Sequence, residues 1–235
     1  MKVPHWLVLA SIVLALAACQ TPSKDPVERG RIYFEGLGCA KCHAIGEHGG
    51  NWGPNLTFVG VRKSPQWLDL WLKDPHAWRK QTIMPSFHLR DDVRSDLVAF
   101  LSAQKGQAWD KGGVRPWNTP QAKAEGGIKR GEILFNKAGC VACHSQGGRG
   151  GYPNNNVAGG QIPALIKVAE GYSKPELMAK IRDGAIPIPA DPSKPAPMIV
   201  MPKWGQVLDN DEIGAVADYL LSLDTAAASA DQSGW

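Results

Sequence analysis

Apolar side chains recur at helical spacing along this chain, in segments separated by stretches rich in glycine and proline. The clearest segment is 64–74, where a Ser-Pro pair suits a helix start and an Asp-Pro pair ends the pattern. Its apolar face consists of Trp67, Leu68, Trp71 and Leu72. We interpret this face as core packing, the common role of such a stripe. The same periodicity predicts helices at 91–102, 173–183 and 209–223.

The pattern is repeated, which indicates two domains of one design. Residues 29–34 read RGRIYF and residues 130–135 read RGEILF, an offset of 101 residues, and each predicts a short amphipathic helix. Each is followed by a glycine, Gly38 or Gly139, that suits a helix end or a close backbone approach. We predict an all-α chain whose domains span 27–104 and 125–224, joined by a linker at 105–124.

Three further segments are expected to be irregular. The linker carries Trp109 and Trp117, which are unusual in a free linker and are expected to dock on a domain. The second domain is longer than the first, and its surplus falls in 147–160, rich in Gly and Asn, and in 186–197, rich in Pro. Both are predicted to be surface loops. The tail at 225–235 is predicted to be flexible.

A five-residue motif occurs once in each repeat, directly after the first predicted helix. It reads CAKCH at 39–43 and CVACH at 140–144. Two Cys three apart lie on one face of a helical turn, so both thiols can bond the vinyl groups of one haem while the next His reaches its iron. A zinc site or a thioredoxin-like pair is the alternative, but zinc does not require His directly after each second Cys. We predict two covalent haem c groups, attached through Cys39, Cys42, Cys140 and Cys143.

A proline follows each motif in a predicted loop, at Pro54 and Pro163. A backbone carbonyl near such a proline is free to accept the proton of the haem-ligating imidazole and to fix its tautomer. By itself this signal is weak, because turns often contain proline.

Each repeat also contains a Met-Pro pair before its last predicted helix, Met84-Pro85 and Met201-Pro202. The order of helix, motif, proline loop, helix, Met-Pro and helix resembles that of class I c-type cytochromes, here in tandem. The resemblance implies an all-α fold wrapped round each haem, and electron transfer. It implies that the iron ligands are His43 with Met84 and His144 with Met201. Met198 is a rival to Met201; we favour Met201 because only it shares the Met-Pro context of Met84.

The N-terminus is typical of an export signal. A positive residue precedes an apolar run at 6–18 that is short for a membrane span. The run ends at Cys19, and the sequence before it resembles a bacterial lipobox. We expect residues 1–18 to be a lipoprotein signal peptide, Cys19 to carry lipid, and 19–26 to be a tether. The protein would then lie on the periplasmic side of a bacterial membrane. An ordinary secretory signal or an uncleaved anchor is the alternative.

Composition narrows the function. The chain has 235 residues and a formal net charge of +4 without a run of Lys or Arg, which argues against a nucleic-acid partner. Four of its five cysteines belong to the two motifs, so no structural disulfide is possible once both haems are attached. We expect a membrane-anchored electron carrier, not an enzyme, that exchanges electrons with donor and acceptor proteins. The alternatives are a haem subunit of a larger dehydrogenase or oxidase complex and, less favoured, a diheme peroxidase.

Overall fold

The computed structural model describes residues 23–110 and 114–223, and in these ranges the protein is mostly helical. The predicted signal peptide, Cys19 and the C-terminal tail lie outside these residues. No helix within them is long and apolar enough to cross a membrane. The α-helices are α1 Pro26–Gly36, α2 Val59–Arg62, α3 Pro65–Lys73, α4 Pro75–Trp78, α5 Asp91–Ser102, α6 Gln107–Asp110, α7 Pro120–Ala124, α8 Gly127–Lys137, α9 Val141–His144, α10 Val168–Gly171, α11 Lys174–Asp183 and α12 Asn210–Leu221.

Short 3-10 helices and one small sheet complete the secondary structure of the described residues. The sheet pairs β1 Ala44–Ile45 with β2 His48–Gly49 in antiparallel register. It closes the turn directly after the first motif. The 3-10 helices are Cys39–Lys41, Pro116–Asn118, Gln146–Gly148, Ala158–Gly160 and Trp204–Gln206.

Each repeat is built on a crossing between its first and last long helices, α1 with α5 and α8 with α12. Glycine permits both crossings. A Cβ on Gly30 would lie 2.0 Å from the Asp96 carbonyl oxygen, and one on Gly131 would lie 1.9 Å from that of Ala215. The backbones therefore meet at a distance that only glycine allows. In both repeats the Cys-x-x-Cys-His motif follows directly after one of the two crossing helices.

The predicted helix boundaries at α3 and α11 are confirmed by their caps. The Ser64 hydroxyl accepts a hydrogen bond from the Trp67 amide, and Pro65 occupies the first turn of α3. In α11, Ser173 and Glu176 form a reciprocal capping box. Of the apolar face predicted for α3, Trp67, Leu68 and Leu72 are buried. These residues form the core of the first repeat, as the periodicity predicted.

The segment between the repeats is packed rather than free. Trp109 and Trp117 are both buried, and Trp117 Nε1 donates to Glu212 Oε1 at 2.6 Å. Glu212, itself 1% exposed, also accepts from Arg115 and Asn118. Each tryptophan thus docks as expected, and the buried carboxylate of α12 is fully hydrogen-bonded.

The two loops of the second repeat were predicted to lie on the surface, and this prediction is wrong in part. Asn154 is buried, and its side chain bonds both the carbonyl and the amide of Ile199, which is also buried. Asn155 and Asn156 bond the same Pro-rich loop at Ala196, Met198 and Asp191. Three consecutive asparagines therefore join the two loops by paired side-chain to backbone hydrogen bonds, a contact that composition does not reveal.

The joined loops face the first repeat. Tyr152, Ile162 and Ile199 are buried in one cluster with Trp67 and Leu97. Trp78 Nε1 donates to the Pro153 carbonyl oxygen at 3.2 Å. In the other direction, Phe58 is fully buried in the cluster of the second repeat, where it contacts Trp109, Trp117 and Trp204. Each repeat therefore contributes to the core of the other.

Candidate functional site

The first motif lies on a tight helical turn entered through a left-handed glycine. Gly38 has φ +75°, the Cys39–Lys41 3-10 helix follows, and the His43 amide bonds the Cys39 carbonyl at 3.0 Å. The second motif repeats this geometry. Gly139 has φ +86°, and the His144 amide bonds the Cys140 carbonyl at 2.9 Å in the turn of α9. In both motifs the second Cys and the His lie about one helical turn after the first Cys, and therefore on the same side of the turn.

The proline carbonyls hold both imidazoles, as the sequence suggested. His43 Nδ1 lies 2.9 Å from the Pro54 oxygen, and His144 Nδ1 lies 3.3 Å from the Pro163 oxygen. A carbonyl only accepts, so Nδ1 carries the proton and Nε2 keeps its lone pair. Burial lowers the pKa of both rings, chiefly by desolvation, and so favours the neutral form that a metal requires.

Glycine makes room for the first imidazole. A Cβ on Gly53 would lie 2.3 Å from His43 Cε1, well inside van der Waals contact. The Gly53 amide is fixed in turn by the Cys42 carbonyl at 2.9 Å. The backbone of this loop therefore lies flat against the ring that it positions.

The first methionine is oriented by a tryptophan that sequence reasoning had assigned only to the core. Trp71 Nε1 donates to Met84 Sδ at 3.0 Å. A thioether sulfur has two lone pairs, so this hydrogen bond leaves one for a metal. The only signal in the sequence was the helical register of Trp71, which does not specify a partner.

The second methionine is held by backbone pairing. Met201 and Ala185 exchange two hydrogen bonds, at 2.9 and 3.0 Å, in an isolated antiparallel bridge. Met201 packs with Cys140 against the core cluster of the second repeat. Met198 packs with Cys143 against the cluster of the first repeat, and the Asn155 side chain binds its amide. The two methionines thus point into different clusters, and Met201 stays our predicted ligand.

Two buried cations lie beside the second motif, and the sequence analysis did not predict their burial. Arg62 and Lys63 are 5% and 7% exposed, and Arg62 Nη1 donates to the Gly139 carbonyl at 3.2 Å. Desolvation lowers the pKa of Lys63 to about 8, so the side chain remains mostly protonated at neutral pH. An Arg-Lys pair before a helix cap is typical of a solvated surface, so the sequence contained no signal of their burial.

The cysteines remain separate pairs. Within 23–110 and 114–223, no three His, Cys, Asp or Glu side chains are grouped as a metal site. The two Cys-x-x-Cys pairs are therefore not joined into one zinc centre. His48, His76 and His88, the other histidines of the two repeats, are all exposed.

Comparison with known proteins agrees with this geometry. The sequence model of the Cytochrome c family matches residues 27–105 and 128–224. The chain belongs to the cytochrome c family. Membership implies covalently bound haem c and electron transfer, and it confirms the all-α prediction of two cytochrome c domains.

Two further similarities are more distant. Over 98 residues the cytochrome is 28% identical to cytochrome c oxidase subunit 2 of Alkalihalophilus pseudofirmus. The match covers 38% of this chain and only 29% of that relative. A solved structure, the reducing HAO-like protein complex of Kuenenia stuttgartiensis, is 17% identical over 84% of this chain and 96% of that one, with a TM-score of 0.30.

The residues of both turns fit haem c. The thiols are unpaired, each imidazole presents a free Nε2, and Met84 retains a sulfur lone pair. A bound haem supplies one-electron chemistry at its iron. His43 and His144 would bind it through Nε2, and the methionines through sulfur. A thioether ligand favours the reduced iron and raises the potential. The carbonyls of Pro54 and Pro163 keep the rings from turning.

Proposed function

We propose that this cytochrome is a membrane-anchored diheme electron carrier of a bacterial extracytoplasmic redox chain. The observation that carries the proposal is the repetition of a complete donor set. Each half offers two thiols, an imidazole oriented by a proline carbonyl, and a methionine. His43 with Met84 in the first half, and His144 with Met201 in the second, would each supply two protein ligands to one iron. An iron held by both ligands would exchange electrons and would leave no open position for a substrate.

The haem count and the redox behaviour test this proposal. Mass spectrometry of the mature protein is expected to show two haem additions, and a redox titration two reversible one-electron steps. A double variant, Cys140→Ala with Cys143→Ala, is expected to leave one haem and one step. A single addition in the unmodified protein, or a haem that stays pentacoordinate in the optical spectrum, would contradict a carrier with two six-coordinate irons.

The anchor forms the second part of the proposal. We infer that Cys19, the cysteine outside the two motifs, carries lipid and holds the protein on the periplasmic side of the membrane. Cys19→Ala should move the protein from the membrane to the soluble fraction, because its own lipid is lost. Cys42→Ala is the matched control, since it removes a thiol from a motif and leaves the anchor. Unchanged membrane association of Cys19→Ala would overturn the lipid anchor.

A subunit role in a larger complex is the second candidate. It is favoured by the similarity to an oxidase subunit 2, which is itself part of a complex by its name. The buried positions of Trp109 and Trp117 remove one argument for it, since their exposure would have indicated a docking surface. Purification from native membranes under mild detergent separates the two roles. A carrier elutes alone, whereas a subunit elutes with stoichiometric partners.

A further inference from the structure

The predicted methionine ligand of the second domain lies at the end of a long loop. The antiparallel bridge between Ala185 and Met201 closes the segment 186–200 through two backbone hydrogen bonds, at 2.9 and 3.0 Å. Near the start of this segment, Ile186 and Ile188 are 85% and 88% exposed. Ordering so many residues through one bridge is entropically unfavourable. The segment therefore needs further contacts to keep Met201 in one place.

Two asparagines of the loop 147–160 supply such contacts. The Asn154 side chain donates to the Ile199 carbonyl oxygen at 2.9 Å and accepts from the Ile199 amide at 3.2 Å. The Asn155 side chain accepts from the Met198 amide at 2.7 Å. Both asparagines therefore hold the backbone directly before Met201.

The contact between Asn154 and Ile199 is buried, with the two residues 5% and 4% exposed. A side-chain amide that pairs with both backbone groups of one residue fixes the position and the orientation of that residue. Without Asn154, the N–H and C=O groups of Ile199 would be left unpaired away from water, which is costly. Asn154 therefore strongly favours the observed position of the chain before Met201.

The loop that carries Asn154 is itself held by the first domain. Trp78 Nε1 donates to the Pro153 carbonyl oxygen at 3.2 Å, and Tyr152 is buried in the core cluster of the first domain. Within the loop, the Asn154 amide donates to the Gly160 carbonyl oxygen at 3.0 Å. Because Asn154 is attached to a fixed support, its hydrogen bonds restrain the segment before Met201 and do not merely move with it.

We propose that Asn154, assisted by Asn155, keeps Met201 on the iron of the second haem. The inference rests on the proposed function. Asn154 and Asn155 are positioning residues, because they act through the backbone before Met201 and supply no atom to the iron. The effect belongs to the second haem alone, since the first domain fixes its methionine through different groups. There, Trp71 donates to the Met84 sulfur and the Thr82 hydroxyl accepts from the Met84 amide.

Competition with imidazole tests the inference on the full, haem-loaded protein. Imidazole binds the ferric iron where the methionine has left, so its apparent affinity rises with the open fraction of that haem. We expect Asn154→Leu to raise the imidazole affinity of the second haem about tenfold, as for the loss of one or two hydrogen bonds. Asn155→Ala should act in the same direction and less strongly, and the first haem should keep its affinity in both variants. Met201→Ala, in which the second haem is always open, identifies the phase of the titration that belongs to it.

Asn156→Ala is the matched control, because it removes the same side chain from the same loop. Among the described residues, the hydrogen bonds of the Asn156 side chain go to 191–195, at the far end of the Pro-rich loop. This variant should leave both imidazole affinities unchanged. The inference is overturned if Asn154→Leu and Asn155→Ala leave the second affinity unchanged, or if Asn156→Ala raises it as much as they do.

A folding defect is separated from the positioning role by comparing all variants at equal haem content and equal helical circular dichroism. If Asn154→Leu binds less haem, Asn155→Ala decides the outcome, since Asn155 is only half-buried. A Met201→Ala protein that keeps both thioether-to-iron absorption bands would instead overturn the ligand set of the proposed function.

Discussion

At the scale of single residues, the imidazole of the first domain depends on a glycine. Because Gly53 has no side chain, its loop can lie against the His43 ring, and a Cβ at this position would overlap the ring. The sequence indicated the role of the neighbouring Pro54 carbonyl, but it did not indicate this contact. The distance between ring and backbone is a property of the folded loop.

We therefore expect Gly53→Ala to disturb the first haem alone. The added methyl would overlap His43, at a cost of about 1–3 kcal/mol of the free energy of unfolding, as for other overpacked sites. The first haem should lose its low-spin spectrum in part and shift its potential, while the second keeps both. Gly36→Ala is the control, since a Cβ there meets nothing within 4 Å. Equal effects of the two variants on the first haem would contradict the conclusion that Gly53 makes room for the His43 ring.

The choice between Met201 and Met198 is also decided by single residues. Met201→Ala should abolish one of the two thioether-to-iron absorption bands near the red edge and lower one potential, because a sulfur that favours ferrous iron is lost. Met198→Ala should keep both bands, since Met198 packs with the first repeat. The reverse result would show that Met198 is the ligand and that the alignment of the repeats fails past the Pro-rich loop.

At the scale of elements, both domains depend on a crossing where the backbones of the first and last helices are in direct contact at a glycine. The Gly30 and Gly131 contacts are equivalent, at 2.0 and 1.9 Å for a hypothetical Cβ. The helices themselves were predictable from periodicity, and so were their caps at Ser64 and Ser173. Their closest approach was not predictable, because helical spacing specifies an apolar face and leaves the crossing point open.

Gly131→Ala should separate α8 from α12 and weaken the second domain. We expect the free energy of unfolding to fall by about 3 kcal/mol or more, at the upper end for overpacked sites. The added methyl would overlap the Ala215 backbone, which cannot move away as a flexible side chain can. Urea unfolding followed by tryptophan fluorescence measures it. Gly171→Ala, in the same domain but without a neighbour within 4 Å, is the control. A Gly131→Ala midpoint equal to that of the control would exclude the tight crossing.

At the scale of the whole molecule, the two repeats share their cores. Phe58 of the first contacts Trp109 and Trp117 of the connecting segment and Trp204 of the second. Tyr152 of the second lies beside Lys63 of the first. The three asparagines at 154–156 hold the loop that carries this contact. The molecule should therefore unfold as one unit, and charges at the interface should affect both domains.

Lys63 gives the whole molecule a pH dependence with a definite sign. Its pKa falls from 10.5 to about 8 on folding because burial removes water from the ammonium. Below pH 8 the folded state carries the full cost of the buried charge. Between pH 8 and 10.5 the unfolded chain binds more protons, so stability rises with pH, by up to about 3 kcal/mol.

Urea midpoints measured from pH 7 to 10.5 should show this rise. Lys63→Met should be more stable than the unmodified protein at pH 7 and should lose this part of the rise. Lys73→Met, whose charge was solvated, should keep the slope of the unmodified protein. A Lys63→Met protein with an unchanged slope would show that another group titrates in this range.

The sequence by itself determined the two domains, their helices, the attachment motifs and the carbonyls that orient the histidines. These features depend on local spacing, which helix and turn geometry convert directly into structure. The tertiary structure alone decided where Trp71 donates, which core contains Met198, and that Arg62 and Lys63 are buried beside the second motif. Such contacts join residues far apart in the chain, and no local pattern encodes them. A surface-like Arg-Lys pair becomes a buried charge only because a loop about 90 residues later closes over it.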